Sequence, residues 1–109
     1  MFRILIKMDE EKVQQEQKYD LEEIYRILEE LFNQKLDLLK LKSESGTLLY
    51  GDRGRDCDFS YFGLTIKELK NEEWFLDNAD AWIFYEDEIE SETDLLLHYA
   101  NRASHIYDN

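Results

Sequence analysis

"EEWFLDNADAWIFYEDE", residues 72–88, decides how the rest of the chain is read. With a helical period, Phe75, Ala79, Trp82 and Ile83 make an inner stripe and the stretch is one helix, although "AWIFYE" taken alone has the composition of a strand. The helix is the expectation. A turn of about 100° per residue then places Glu73, Asp77, Asp80, Asp87 and Glu88 opposite the stripe, with Phe84 among them and Trp74 and Tyr85 beside it. An exposed aromatic ringed by carboxylates is the anchor-and-rim pattern in which interfaces concentrate binding energy. The plainer alternative is a solvated acidic face, with Phe84 turned inward on a strand or lying under the last helix.

Upstream of this stretch, "FRILIKM" (2–8) alternates, with Phe2, Ile4, Ile6 and Met8 on one side, and reads as a half-buried strand. "DEEKVQQEQK" (9–18) reads as a charged connection. "YDLEEIYRILEELFNQ" (19–34) has apolar residues at helical spacing: Leu21, Ile24, Tyr25, Leu28, Leu31 and Phe32. Asp20 with Glu23 fits a capping box, and Tyr19 with Ile24 fits a hydrophobic staple. Three strands are expected next, "KLDLLKLK" (35–42), "TLLY" (47–50) and "DFSYFGLTIKEL" (58–69), joined by glycine-containing turns at "SESG" and "GDRGRD". Downstream, "SETDLLLHYANRASHIY" (91–107) puts Leu96, Tyr99, Ala100, Ala103, Ile106 and Tyr107 on one face of a closing helix capped by Ser91 or Thr93. The order β-α-β-β-β-α-α implies an α+β fold, a mostly antiparallel sheet of about four strands with helices packed on one face.

The 109 residues suit one domain, 1–109, with no repeat, no proline and no Gly/Ser tract at which to divide it. Apolar residues make up 43%, too many for a disordered chain despite 36% charged residues. No apolar run reaches the length of a membrane span, and the N-terminus lacks a signal-peptide pattern, so a cytoplasmic protein is expected. Charge is unevenly placed. Residues 1–70 carry 15 acids and 12 bases, whereas residues 71–101 carry 10 acids and no Lys or Arg, out of a total net charge of -13. Like charges crowded together oppose compaction, so some compensation is expected, and a basic protein surface is the natural partner. Glu90 extends the same acidic set, giving Glu73, Trp74, Asp77, Asp80, Phe84, Tyr85, Asp87, Glu88 and Glu90 as the expected partner-binding residues.

Motifs for catalysis or cofactors are weak. "EDEIESETD" (86–94) lacks the glycine and ligand spacing of a Ca²⁺ loop. His98 and His105 lie seven apart, about 10 Å along a helix, too far to share one metal ion. "YGDRGRDCDF" (50–59) has no phosphate-loop signature and reads as a polar hairpin turn. Cys57, the single cysteine, stands between Asp56 and Asp58, which disfavour its thiolate. No enzyme, metal or cofactor is expected.

The small size, proline-free α+β pattern and acidic window, chiefly "EEWFLDNADAWIFYEDEIESETD" (72–94), resemble the small anti-CRISPR and related accessory proteins of Gram-positive phages and conjugative elements. That resemblance implies inhibition of a host defence nuclease by an acidic surface seated in its basic nucleic-acid channel. The acids from Glu72 to Asp94 would stand for phosphates, and Phe84 or Trp74 would fill an apolar pocket or stack as a base does. Direct nucleic-acid binding is not expected. The class also acts by lowering guide RNA or by occupying allosteric surfaces. A different reading, an antitoxin-like or housekeeping module that neutralises a basic partner, fits the same charge pattern. A homodimer through a strand edge or the aromatic surface near Trp74 stays open.

Overall fold

A computed structural model describes residues 1–86 and 91–107. Its centre is β1 (Arg3–Met8), flanked on one side by β3 (Thr47–Gly51) and on the other by β4 (Ala79–Tyr85). With β2 (Leu39–Glu44) outside β3 and β5 (Glu92–Asp94) outside β4, five strands lie in the order β2-β3-β1-β4-β5, every neighbouring pair antiparallel. The α+β class and the packing of helices on one face hold, and the sheet has five strands rather than about four.

Register explains the core. Ile4 stands between Tyr50 and Phe84, and Ile6 between Leu48 and Trp82, so one sheet face presents a continuous apolar layer. Covering it are Val13 of α1 (Glu10–Glu16), Ile24 and Leu28 of α2 (Leu21–Glu29), Phe62 and Leu69 of α3 (Asp58–Leu69), Phe75 of α4 (Glu73–Asn78), and Leu95 and Leu96 of α5 (Leu95–Tyr99). Phe32, in the π-helical turn Glu30–Lys35 that extends α2, stacks on Tyr50 at 4.4 Å between ring centroids. Phe75 meets Trp82 edge to face at 5.0 Å. Each large apolar side chain buried in this layer contributes roughly 1.5–3 kcal/mol of transfer free energy.

Local signals agree at several points. Asp20 caps α2 by accepting the Glu22 N–H, and Tyr19 packs against the core. Only the Asp20 half of the expected capping box forms, because Glu23 is turned to Arg26, with which it pairs. The β2–β3 hairpin closes on Ser45 and Gly46, and Gly46 needs its glycine. Its φ is +86°, and an added Cβ would meet the Met8 carbonyl oxygen at 3.1 Å.

Five expectations are corrected. Residues 58–69 form a helix, because the buried Asp58, Phe62, Thr65 and Leu69 recur at intervals of four, three and four. "GDRGRD" is therefore a strand-to-helix connection and not a hairpin turn. Residues 72–88 do not form one helix. Six residues make α4, and from Ala79 the chain extends as β4, since pairing with both β1 and β5 satisfies its backbone while Ala81, Trp82, Ile83 and Phe84 are all buried. The charged connection 9–18 holds α1, started by Asp9, whose carboxylate accepts the Lys12 N–H. The closing helix is cut down to Leu95–Tyr99, capped by Asp94 and not by Ser91 or Thr93, with a 3₁₀ turn His105–Tyr107 following.

Candidate protein-binding surface

The acidic window does not form one face. β4 runs through its middle, and a seven-residue strand spans roughly 20 Å, so the exposed acids among the described residues, Glu72, Glu73 and Asp77 against Glu86 and Glu92, stand toward opposite ends of that strand.

At one end is α4. Glu73 and Asp77 are exposed, while Glu72 accepts the indole N–H of the half-buried Trp74 at 2.7 Å. The compensation expected from the charge pattern enters from outside the window. Lys12 of α1 donates to the Asp77 carbonyl at 2.5 Å, and Arg102 donates to the carbonyls of Leu76 and Ala79. Two cations thus sit at the C-terminal end of α4, where the carbonyls and the helix dipole favour positive charge.

Asp80 and Asp94 serve the fold. Asp80 keeps a side chain only 16% exposed and pairs with His105 at 2.8 Å. Asp94 caps α5, accepting the N–H groups of Leu96 and Leu97 on one oxygen and that of Ser104 on the other. Neither carboxylate is offered to a partner.

At the other end β4 leaves the core through Tyr85 and Glu86. The Glu86 N–H donates to the Ser91 carbonyl at 2.9 Å, which fixes both ends of the connection to β5. Glu86 and Glu92 are exposed. Asp87, Glu88 and Glu90 lie between them in sequence and outside the described residues. Tyr85 is level with Glu92 across the strand pair, and the Arg3 guanidinium lies 4.9 Å from its ring centroid. Burial, then the Glu92 charge, raise the Tyr85 phenol above its ordinary value, with Arg3 opposing. The arrangement offers the carboxylates of Glu86 and Glu92 at the end of an edge strand pair.

Phe84 is not the exposed centre of this surface. It is 8% exposed, opposite Ile4, and packs among Phe2, Phe59 and Phe62 with ring centroids 6.0, 6.4 and 5.8 Å away. Trp74 belongs to the α4 end and Tyr85 to the β5 end, so the expected trio is split. Sequence reasoning counted Glu86 and Glu92 among the Glu72–Asp94 acids but left them out of the expected partner-binding set, because a helical period turned attention to Asp80 and Phe84. A strand period over 79–85 would have turned Phe84 inward with Trp82.

The remaining polar cluster is self-contained. The N–H groups of Arg53 and Arg55 converge on the Asp58 carboxylate, so this glycine-containing loop already holds an anion of its own. Among the described residues no group of three or more His, Cys, Asp or Glu is placed to hold a metal ion, and no helix is long and apolar enough to cross a membrane. Comparison with protein-family models, curated proteins and solved structures finds no match for this chain.

Proposed function

We propose that this chain acts by binding and not by catalysis: its β4–β5 end occupies a basic surface of a nucleic-acid-handling protein in the cytoplasm and keeps nucleic acid away from it. The observation that carries this reading is that Glu86 and Glu92 stand exposed at the end of the β4–β5 pair, which the Glu86–Ser91 hydrogen bond closes, while the sequence between them adds Asp87, Glu88 and Glu90 without a base. Carboxylates held at a fixed edge steer a basic groove toward the protein and raise the rate of encounter. The α4 end is the weaker contender, because Lys12 and Arg102 accompany its acids. An RNA-guided CRISPR nuclease of a Gram-positive host is the proposed target, since its nucleic-acid channel is basic.

The test is guide-dependent DNA cleavage at increasing ionic strength, with wild type and with a Glu86→Lys/Glu92→Lys double variant. Inhibition that is strong at low salt, weakens with salt and disappears in the variant is expected. Inhibition unchanged by the charge reversal would reject mimicry, and cleavage unaffected by the wild type would reject the nuclease as target.

A further inference from the structure

The edge of the aromatic cluster reaches the surface at the acidic end. Phe59, at the start of α3, is 55% exposed and lies 5.1 Å from the ring of Phe2. Phe2 precedes Arg3, which pairs with Tyr85, so by register Phe2 stands level with Glu86, the first acid of the connection. On α3 the exposed Gly63 follows one turn after Phe59, and Leu64 beside it is 46% exposed. Glycine is a poor helix former, and here internal packing does not ask for it: an added Cβ would have no heavy atom within 4 Å. Phe59 and Gly63, four apart and so about 40° from one another on α3, therefore make an apolar, notched strip on one helix face, with exposed Asp56 on the preceding turn and Glu86 at the same end of the sheet.

We infer that Phe59, with Gly63 one turn along the same face, is the apolar anchor of the acidic end, and that it fits a basic protein surface presenting an apolar pocket between Lys and Arg side chains. This rests on the function proposed above and names the contact that gives it specificity. Charge selects the occupant. A second copy brought to this end would set acids against acids in a protein of net charge -13, whereas a basic rim around an apolar pocket complements both features. The bases at this end are already engaged, Arg3 over Tyr85 and Arg53 and Arg55 with Asp37. The anchor-and-rim pattern is thus carried by Phe59 and the carboxylates, with Phe84 as its buried support.

Two synthetic peptides of equal positive charge test the inference by titration calorimetry at low salt: an oligolysine, and an amphipathic Lys/Leu peptide. Wild type is expected to bind both, the Lys/Leu peptide about tenfold more tightly, as a buried aromatic anchor would give. Phe59→Ser should remove that preference and leave oligolysine binding unchanged. Gly63→Gln, placed in open space on the same strip, should lower Lys/Leu affinity while raising the melting temperature, which separates lost docking from lost folding. A preference that is absent in wild type, or that survives both substitutions, would overturn the anchor and leave the acidic reading standing. No binding of either peptide would remove both. A dimer detected by sedimentation and abolished by Phe59→Ser would assign the strip to a second copy and also overturn the inference.

Discussion

Arg55 places its guanidinium 2.7 Å from the carboxylate of Asp58, a side chain only 1% exposed at the start of α3. The same carboxylate accepts the backbone N–H groups of Arg53 and Arg55 at 2.7 and 3.2 Å, and Arg55 reaches on to the Leu36 and Asp37 carbonyls. One buried anion thus ties the loop after β3 to the end of the π-helical turn.

Asp58 should matter to stability and to its acid limit. Burial pushes its carboxyl upward, but the hydrogen bonds from Arg55 and from the N–H groups of Arg53 and Arg55 outweigh it and hold it below its ordinary value. A lowered folded value stabilises the protein above the unfolded carboxyl pKa, and that contribution is lost as pH falls through the folded value. Asp58→Ala should cost about 2–4 kcal/mol in urea unfolding at neutral pH, since it leaves buried donors unpaired. Its stability should also fall less steeply below about pH 4 than that of wild type. Equal acid slopes in the two proteins would contradict this role.

Arg102 bridges two carbonyls at the end of α4. Arg102→Ala should lower stability by about 1–3 kcal/mol, through the loss of charge-assisted hydrogen bonds. Arg102→Lys should recover part of it, because a point cation does not reproduce the guanidinium fork. Hydrogen exchange should quicken at the α4–β4 junction in the Ala variant, and unchanged protection there would argue against the bridge.

The tyrosines Tyr25 and Tyr50 set an alkaline limit. Burial, then the hydrogen bond to Glu29 and its charge, raise Tyr50 well above its ordinary value, and burial with Glu10 does the same for Tyr25. A raised folded value stabilises below the unfolded pKa of about 10, and the contribution is lost as pH climbs through the folded value. Ultraviolet titration should show these two phenols ionising only as the protein unfolds, and Tyr50→Phe should flatten the loss of stability above about pH 10. Ionisation of all 7 tyrosines in one step before unfolding would count against it.

Salt should stabilise the protein. Pairs such as Lys35–Glu68 and Arg26–Glu30 are about half exposed and already weakened by solvent, so screening them removes little. Repulsion within a net charge of -13 is larger, and raising ionic strength from about 10 to 300 mM shortens its range severalfold. The melting temperature should rise over that interval, and a fall would show that ion pairs outweigh repulsion.

What the amino-acid sequence determined by itself was β1, α2 and the β2–β3 turn, whose wet and dry faces or turn glycine show at short range, whereas α1 and α3 were not legible that way. In β1, Ile4 and Ile6 alternate with Arg3 and Lys7, in α2, Ile24 and Leu28 recur against charged neighbours, and Gly46 marks a tight turn, so local periodicity carried the α+β class. Tertiary structure alone decided 79–85. There Trp82 and Phe84 enter the main core, while Ala81 and Ile83 are buried on the opposite side, so burial on both faces erased the alternation that identifies a strand. Once β1 supplied its hydrogen-bonding edge, the helix gave way after six residues. The same strand divided the acidic window, whose charge was plain in composition, into an α4 end accompanied by Lys12 and Arg102 and a β5 end pinned at Glu86 and Ser91. Linear spacing could not say which aromatic would stand beside those acids, because the neighbours that bury Phe84 and leave Phe59 half in solvent come from residues 2 and 58–69, brought there by the sheet register.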